Sequence, residues 1–205
     1  MIRRFPRYQL FSRMLFPRYN RFPTVINIRG TNGSGKSTIV MKLLKKFGAE
    51  PIVKDGKVRA YKINKKTPIY VLGRYETPTG GCDTIRTQDE VSNGVRELMD
   101  KMDGDVIFEG LLISGMHSRW VELAHSRPNS HFIFAVLDTP LKKCIKRVLK
   151  RRKEKGNKKP FNPKTLIAKH KAVQSSAIAL KKAKLDVRVL PHKKPVKTIL
   201  KWLGE

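Results

Sequence analysis

Residues 24–37 read TVINIRGTNGSGKS, and this stretch decides the fold. Thr24–Arg29 is rich in β-branched residues and predicts a short strand. The next eight residues match the pattern G-x-x-x-x-G-K-[ST], and residues 38–47 continue as a helical run. Glycines in such a loop let backbone N–H groups turn inward around phosphate oxygens, and the helix N-terminus adds its positive end. The stretch therefore predicts a phosphate-binding loop between a strand and a helix.

This loop predicts a nucleotide site. Lys36 would reach the β- and γ-phosphates of the nucleotide, and the Ser37 hydroxyl would hold Mg²⁺. ATP is favoured over GTP because residues 113–189 contain no guanine-reading N-K-x-D motif. The predicted nucleotide-binding residues are Gly30, Thr31, Asn32, Gly33, Ser34, Gly35, Lys36, Ser37 and Thr38.

Strand-like and helix-like segments alternate along the rest of the chain. The further strand patterns cover residues 58–63, 69–72, 105–108, 132–137 and 187–190, with a turn at 54–57. The further helical patterns cover residues 88–102, 163–183 and 196–203, together with a helix capped by Thr139 and starting at Pro140. This alternation predicts an α/β P-loop kinase fold: one mostly parallel sheet with helices on both faces, and no second core.

The charge of the chain is high and unevenly distributed. The net charge is +29, with six Arg and no acid in residues 1–23. Residues 24–139 are nearly balanced, whereas residues 140–201 carry twenty-two Lys and Arg against two acids. Segregated charge of this kind favours a polyanion such as DNA over a merely solvated surface, because counterion release drives such binding. We expect a basic aromatic arm at 1–23 and one domain at 24–205, whose basic lid and C-terminal part span about 140–201.

Several classes of protein are excluded by the same sequence. Cys82 and Cys144 are the only cysteines and lack metal-ligand spacing, which excludes a disulfide framework or a zinc finger. No apolar run approaches the roughly 18–20 residues of a membrane-spanning helix, and no secretory leader is visible. We therefore expect a cytoplasmic protein with no membrane partner.

A phosphate-binding loop needs a carboxylate on a neighbouring strand to hold Mg²⁺ directly or through water. Glu109 ends the apolar segment that begins at Asp105 and is the predicted metal-associated acid. The alternative is that Glu109 is an ordinary polar strand end. Asp138 ends the next apolar strand and is the rival candidate, left free if Thr139 caps the helix.

Three arginines occupy the helix predicted after Pro140 and the basic segment that follows it. Mobile guanidinium groups neutralise the charge that builds on a migrating phosphoryl group, and a flexible basic loop can deliver them as a lid. Arg147 is the predicted catalytic arginine, and Arg151 and Arg152 are the predicted lid contacts to phosphate. The alternative is a charged, DNA-facing surface with no catalytic duty.

The loop after residues 69–72 should lie at the carboxyl edge of the sheet, where ligands bind. It begins with Arg74 and contains Gly80 and Gly81, which would permit a substrate to approach closely. Asp83 would accept the proton of an attacking hydroxyl as a general base. The alternative is a Gly-Gly turn in which Asp83 or Thr84 caps the following helix.

Three features together resemble the nucleoside-monophosphate-kinase-like branch of P-loop kinases over residues 24–205. They are the phosphate-binding loop, the strand ending in Glu109-Gly110, and the D-T-P-x-x-x-C-x-x-R-x-x-x-R run at 138–151. Within that branch, LGRY at 72–75 and GGCD at 80–83 resemble the phage 5-hydroxymethyluracil DNA kinases.

This resemblance implies ATP-dependent phosphorylation of the hydroxymethyl group of a modified pyrimidine within DNA, as part of phage DNA hypermodification in the host cytoplasm. It implies that Asp83 is the general base and that Lys36 and Arg147 stabilise the phosphoryl group. It also implies that Ser37 and Glu109 belong to the coordination shell of the magnesium ion. Many monophosphate kinases have Asp, often Asp-Arg, where this chain has Glu109-Gly110, which argues against a free nucleotide as substrate. The alternatives are a nucleoside or nucleotide monophosphate kinase, a polynucleotide end kinase, and a non-catalytic ATP-binding nucleic-acid-binding protein.

Overall fold

The computed structural model describes residues 22–76 and 80–205. The arm predicted at 1–23 therefore lies almost wholly outside the described residues. The strands are β1 (Thr24–Arg29), β2 (Ala49–Lys54), β3 (Lys57–Ile63), β4 (Ile69–Leu72), β5 (Asp105–Glu109), β6 (His131–Leu137) and β7 (Asp186–Leu190). The α-helices are α1 (Lys36–Phe47), α2 (Gln88–Lys101), α3 (Leu111–Ser114), α4 (Ser118–His125), α5 (Leu141–Glu154), α6 (Pro163–Lys182) and α7 (Pro195–Trp202).

The strands form one sheet in the order β2-β3-β4-β5-β1-β6-β7. The five strands from β4 to β7 in that order are parallel, and β2, β3 and β4 pair antiparallel at one edge. The predicted α/β P-loop kinase fold with a mostly parallel sheet is confirmed. Ile28 of β1 lies opposite Glu109 of β5, so the phosphate-binding loop and Glu109 leave the same edge of the sheet.

The buried strands divide their side chains between two layers, as the period-two alternation of a strand requires. Val25, Phe108 and Phe134 belong to the core cluster that also contains the apolar faces of α2 and α4. Ile26, Ile107 and Ile133 belong to the cluster on the other face, with residues of α1 and α7. Continuous apolar strands thus pack helices on both faces, which is typical of parallel sheets.

β2 was not predicted from the sequence. It is an edge strand whose residues are exposed or half-buried, and Pro51 within it removes one backbone donor, as edge positions tolerate. The turn predicted at 54–57 is confirmed: Asp55 and Gly56 both have positive φ, which suits a two-residue hairpin loop. Helices α3 and α4, of four and eight residues, were also not predicted.

The predicted cap of α5 is wrong. Pro140 occupies the N-cap position of α5, and no side chain caps the helix. The Thr139 hydroxyl instead donates a hydrogen bond of 2.8 Å to the carbonyl oxygen of Ser34 in the phosphate-binding loop. The polar backbone of that loop needs internal partners, and Thr139 supplies one. Among the described residues, no helix is long and apolar enough to cross a membrane.

Candidate active site

A cleft of about 1210 Å³ opens at the carboxyl edge of the parallel strands. Its floor is formed by residues 32–39 of the phosphate-binding loop and the first turn of α1. Asp83, Leu111 and Leu112 line the side towards β5, and residues 192–197, which follow β7 and include the start of α7, line the opposite side. Seven of the nine predicted nucleotide-binding residues therefore line the cleft. Gly30 and Thr31 do not, but they provide carbonyl partners for Lys36.

Lys36 lies at the start of α1, directly after Gly35, whose φ of 105° lies in the left-handed region that favours glycine. Its buried ammonium donates hydrogen bonds to the Gly30 carbonyl at 2.8 Å and the Thr31 carbonyl at 3.4 Å. Burial lowers the pKa of Lys36, while the charges of Glu109 and Asp83 raise it. The effect of burial is the larger, so the pKa of Lys36 is lowered overall and the two carboxylates offset only part of that shift.

Glu109 ends β5 with its side chain fully buried. Burial raises the pKa of Glu109 to about 7, whereas the Lys36 charge, the Ser37 hydroxyl and the Tyr75 phenol lower it. Neither carboxylate oxygen has a partner with full hydrogen-bond geometry among the described residues. A buried, unsatisfied carboxylate beside the Ser37 hydroxyl suits the outer shell of a magnesium ion. In the described part of the chain, no three His, Cys, Asp or Glu residues cluster to hold a metal by themselves, so such an ion would also need nucleotide phosphates.

The loop that follows β4 folds back onto Glu109. Gly81 has φ of 74° and ψ of −151°, a region that essentially only glycine adopts, and its amide donates to the Arg74 carbonyl at 2.7 Å. A Cβ atom on Gly81 would lie 2.2 Å from Oε1 of Glu109, and one on Gly80 would lie 2.8 Å from the Arg74 carbonyl oxygen.

The expected role of these two glycines is therefore corrected. They permit the close approach of the loop's own backbone and of Glu109, and neither Gly80 nor Gly81 lines the cleft. Arg74 also lies off the cleft, where it forms an isolated antiparallel bridge with Gly81. A glycine pair in a sequence indicates that another group approaches the backbone closely, but it does not show whether that group is substrate or protein.

Asp83 is exposed and lies in the cleft, as a general base requires. Its Oδ1 accepts a 2.7 Å hydrogen bond from the backbone N–H of Leu111, the first residue of α3. The alternative in which Asp83 or Thr84 caps the following helix is wrong, because the Thr87 side chain caps α2. The Thr84 hydroxyl donates instead to the Gly81 carbonyl at 2.7 Å. One carboxylate oxygen of Asp83 is thus fixed by α3.

Arg147 and Arg151, one helical turn apart on α5, both line the cleft. Nη1 of Arg147 donates to the carbonyls of Gly33 and Ser34 at 3.1 and 3.2 Å, so α5 lies directly against the phosphate-binding loop. Arg152 was predicted to contact phosphate, but the structure places it elsewhere. Its guanidinium bonds to the Lys159 carbonyl and lies 5.9 Å from the centre of the Phe161 ring.

Asp138, the rival metal-associated acid, is engaged by the loop after β7. Its Oδ1 accepts from the backbone N–H of His192 at 2.7 Å and lies 2.8 Å from Nδ1 of the same residue. These hydrogen bonds with His192 lower the pKa of Asp138, against the opposing effect of burial. Because Glu109 is buried and unsatisfied while Asp138 has partners, the geometry favours Glu109 as the acid beside the metal.

Two residues near the site were missed from the sequence. Arg29 is fully buried at the end of β1 and donates to Asn27 Oδ1 at 2.6 Å and Ser176 Oγ at 2.5 Å, as well as to the carbonyls of Ser114 and Met116. Burial lowers the pKa of Arg29 to about 9.

The second missed residue is Tyr75, which is buried against Glu109. In the sequence, the features that could have pointed to these residues were an arginine at the end of an apolar strand and a tyrosine two residues after Gly73.

Comparison with known proteins identifies the family. The sequence model of the 5-hmdU DNA kinase family matches residues 14–190. The 5-hmdU DNA kinase of Pseudomonas phage PaMx11 is 41% identical over 173 residues, which cover 82% of this chain and 87% of that protein. The 5-hmdU DNA kinase of Pseudomonas phage M6 is 32% identical over 198 residues, covering 87% of this chain and 98% of that protein.

A solved structure from the PezAT toxin–antitoxin system of Streptococcus pneumoniae shares the fold. It is 15% identical, with a TM-score of 0.52, and the match covers 97% of this chain and 85% of that one. At this identity the likeness concerns the fold alone. The family match and the two phage relatives each cover most of the sequence, and the chain therefore belongs to the 5-hmdU DNA kinase family.

Proposed function

We propose that this chain transfers the γ-phosphoryl group of ATP to the hydroxymethyl oxygen of 5-hydroxymethyluracil in DNA. The observation that carries the proposal is that Asp83 and the phosphate-binding loop with Lys36 line one cleft, with Glu109 buried beside them. The family's kinases are named for this substrate, and the charge of +29 suits a polymeric anion better than a free nucleotide.

The residues divide the reaction between them. Asp83 accepts the proton of the hydroxymethyl group while its oxygen attacks the γ-phosphorus. The new P–O bond forms as the bond from the γ-phosphorus to the β,γ-bridging oxygen breaks, which leaves ADP. Lys36 and Arg147 neutralise the charge that builds on the phosphoryl oxygens. Leu111 assists by holding Asp83 through its backbone N–H, which keeps the second carboxylate oxygen available to the hydroxyl.

We assign Mg²⁺ to the Ser37 hydroxyl and, through water, to Glu109. A bound Mg²⁺ would supply positive charge that offsets the negative charge of the phosphates during transfer. The unsatisfied oxygens of Glu109 support this assignment. The base of ATP would lie on the side of the cleft formed by residues 192–197, where Pro195 and Val196 provide apolar surface.

We further propose that a basic arm at 1–23 precedes a kinase domain at 24–205, and that arm and lid both contact DNA. α5 carries eight Lys and Arg among its fourteen residues, and Lys142, Lys146 and Lys150 are exposed at successive turns. Exposed cations in a row on one helix suit a phosphate backbone. Because the relatives are phage proteins, the site of action would be phage DNA in the host cytoplasm.

The experiment that tests the function locates the transferred phosphate. The protein is incubated with γ-labelled ATP and three DNAs: one containing thymidine, one containing hydroxymethyluracil, and one containing hydroxymethyluracil with blocked ends. Digestion to nucleosides then shows which nucleoside carries the label. We expect label on hydroxymethyluracil in both modified DNAs. Label only at unblocked ends would assign a polynucleotide end kinase, and label only on added free nucleotides would assign a nucleotide kinase.

A further inference from the structure

The one-turn helix α3 is held at both ends. At its start, the backbone N–H of Leu111 donates to Asp83 at 2.7 Å. At its end, the buried Ser114 hydroxyl donates to the Gly110 carbonyl at 2.5 Å and accepts from the Gly30 N–H at 3.2 Å. Nη2 of Arg29 also donates to the Ser114 carbonyl at 2.7 Å. α3 is therefore fixed to both the phosphate-binding loop and the candidate base.

Leu112 is the one exposed residue of α3, with 61% of its surface exposed, whereas the other three are buried or half-buried. A single exposed leucine needs no explanation by itself. This one lies on a turn that hydrogen bonds fix at both ends, it lines the cleft, and it follows directly the residue that holds Asp83. Its exposure is thus built into the site and does not result from a loose segment.

The sheet order places two apolar surfaces on opposite sides of the phosphate-binding loop. α3 follows β5, the phosphate-binding loop follows β1, and residues 192–197, which include the start of α7, follow β7. Because β1 lies between β5 and β7 in the sheet, the two apolar surfaces flank the phosphates. Pro195 and Val196 would contact the base of ATP, which leaves Leu111 and Leu112 for the acceptor on the Asp83 side.

We propose that Leu112 is the apolar surface on which the ring of the target pyrimidine rests, outside the base stack, with its hydroxymethyl group directed at Asp83. This inference rests on the proposed function and names the residue that positions its substrate. A base removed from the stack loses contact with its neighbours, and apolar side chains in an enzyme pocket replace part of that contact. Leu112 is a positioning residue and takes no part in proton or phosphoryl transfer.

The test compares Leu112→Ala and Leu112→Met with Val53→Ala, a change at an exposed apolar residue of β2 that does not line the cleft. Two oligonucleotides are used, identical except that one carries hydroxymethyluracil at the target position and the other an abasic site. Their Kd values are measured with a non-hydrolysable ATP analogue bound, and KM values are measured for the modified oligonucleotide and for ATP.

We expect the wild-type protein to bind the modified oligonucleotide about 10-fold more tightly than the abasic one, and Leu112→Ala to remove most of this preference. The KM for modified DNA should rise by a similar factor, with the KM for ATP and the melting temperature unchanged. Leu112→Met should retain the preference, and Val53→Ala should match the wild type. A merely structural role would not alter the ratio of the two Kd values.

The failures can be told apart. If the wild-type protein leaves hydroxymethyluracil in DNA unmodified, the proposed function fails, and this inference fails with it. If the wild type phosphorylates that base and Leu112→Ala keeps both the base preference and the KM for DNA, only the role of Leu112 is overturned. A fall in ATP affinity equal to the fall in DNA affinity would also overturn it.

Discussion

A Cβ atom on Gly81 would lie 2.2 Å from Oε1 of Glu109. The loop that carries Asp83 is therefore in contact with the acid that we assign to the magnesium shell. Asp83 lies two residues after Gly81, and the charges of both acids oppose the lowering of the Lys36 pKa by burial. A methyl group added at Gly81 would therefore disrupt the contact between Glu109 and the loop that carries Asp83.

Gly81→Ala should greatly reduce turnover. The added methyl group must displace Glu109, and alanine must also adopt a backbone conformation that strongly favours glycine. Gly56→Ala is the control, because Gly56 has a comparable φ of 68° but no atom within 4 Å of its Cβ position. We expect the control to lose roughly 1–2 kcal/mol of stability and to keep its turnover in a kinase assay. Equal turnover in the two variants would contradict the contact between loop and acid.

The stability of the nucleotide-free protein should depend on Glu109 between about pH 4.5 and 7. The pKa of Glu109 is raised from 4.5 to about 7, so in this range the folded protein binds a proton that the unfolded chain has lost. Stability from this group is therefore fully present below about pH 4.5 and falls as the pH rises to about 7. Thermal or denaturant unfolding across this range should show the fall in the wild type and not in Glu109→Gln.

The size of this effect is a few kcal/mol at most, because one pKa unit corresponds to about 1.4 kcal/mol. Subtracting the Glu109→Gln profile removes the contribution of groups such as Asp138 and Asp186, whose pKa values are lowered. Saturating Mg²⁺ and nucleotide should flatten the wild-type profile, since a cation favours the ionised carboxylate. A difference profile that rises with pH would show that Glu109 is not buried as described.

The sequence was enough to predict the fold and half of the site. A glycine-rich loop between a β-branched strand and a helix has few structural solutions, so the residues of the nucleotide site could be placed by number. Glu109 was placed beside the phosphate-binding loop because parallel strands present their carboxyl ends along one edge, and the pairing of β1 with β5 confirms this position.

The rest of the site depends on contacts between distant residues, which a single sequence does not contain. Asp83 bonds to Leu111, twenty-eight residues later, and Thr139 bonds to Ser34, 105 residues earlier. Local patterns predicted that Thr139 caps a helix and gave a helix cap as the alternative to a general base at Asp83, since Asp and Thr commonly cap helices. Tertiary partners replaced the local ones in both cases.

Lys36→Ala should abolish phosphoryl transfer and leave DNA affinity nearly unchanged. The variant removes the buried ammonium that bonds to the Gly30 carbonyl and that we assign to the phosphates, while the surfaces that we propose to contact DNA are elsewhere. Lys45→Ala, an exposed change on the same helix, is the control and should keep its turnover. Turnover is measured with labelled ATP and DNA affinity by titration. A Lys36→Ala protein with near-normal turnover would show that the loop does not hold the reacting phosphates.

DNA affinity should fall steeply with salt concentration. Each phosphate contact in duplex DNA contributes a slope of about 0.9 to a plot of log affinity against log salt. Residues 1–22 contain six Arg, and their deletion should reduce the slope while ATP affinity stays the same. Replacing Lys142, Lys146 and Lys150 with Gln should reduce it again. A slope near zero in the intact protein would argue for a free nucleotide as substrate.

Asp83→Asn should lower turnover by at least about 10²-fold, because a general base contributes typically 10²–10⁴-fold to the rate. The amide keeps an oxygen that can accept from the Leu111 N–H, so α3 should remain in place and the melting temperature should not change. Asp83→Ala loses this hydrogen bond as well, and we expect an additional loss of about 1 kcal/mol in stability. Turnover is measured at saturating ATP and DNA, where a change in substrate affinity does not contribute.

Asp100→Asn provides the control for charge, since Asp100 is an exposed acid on α2 that pairs with Arg127 at 2.9 Å and lies outside the cleft. Its turnover should equal that of the wild type. An Asp83→Asn protein that is folded, binds both substrates and fails to turn over would place the acceptor hydroxyl at the free oxygen of Asp83. If Asp83→Asn were active while Asp83→Ala melted early, the carboxylate would serve only to hold α3. The proton would then have to pass to another group, of which Glu76, Asp89 and Glu90 lie nearest in the sequence.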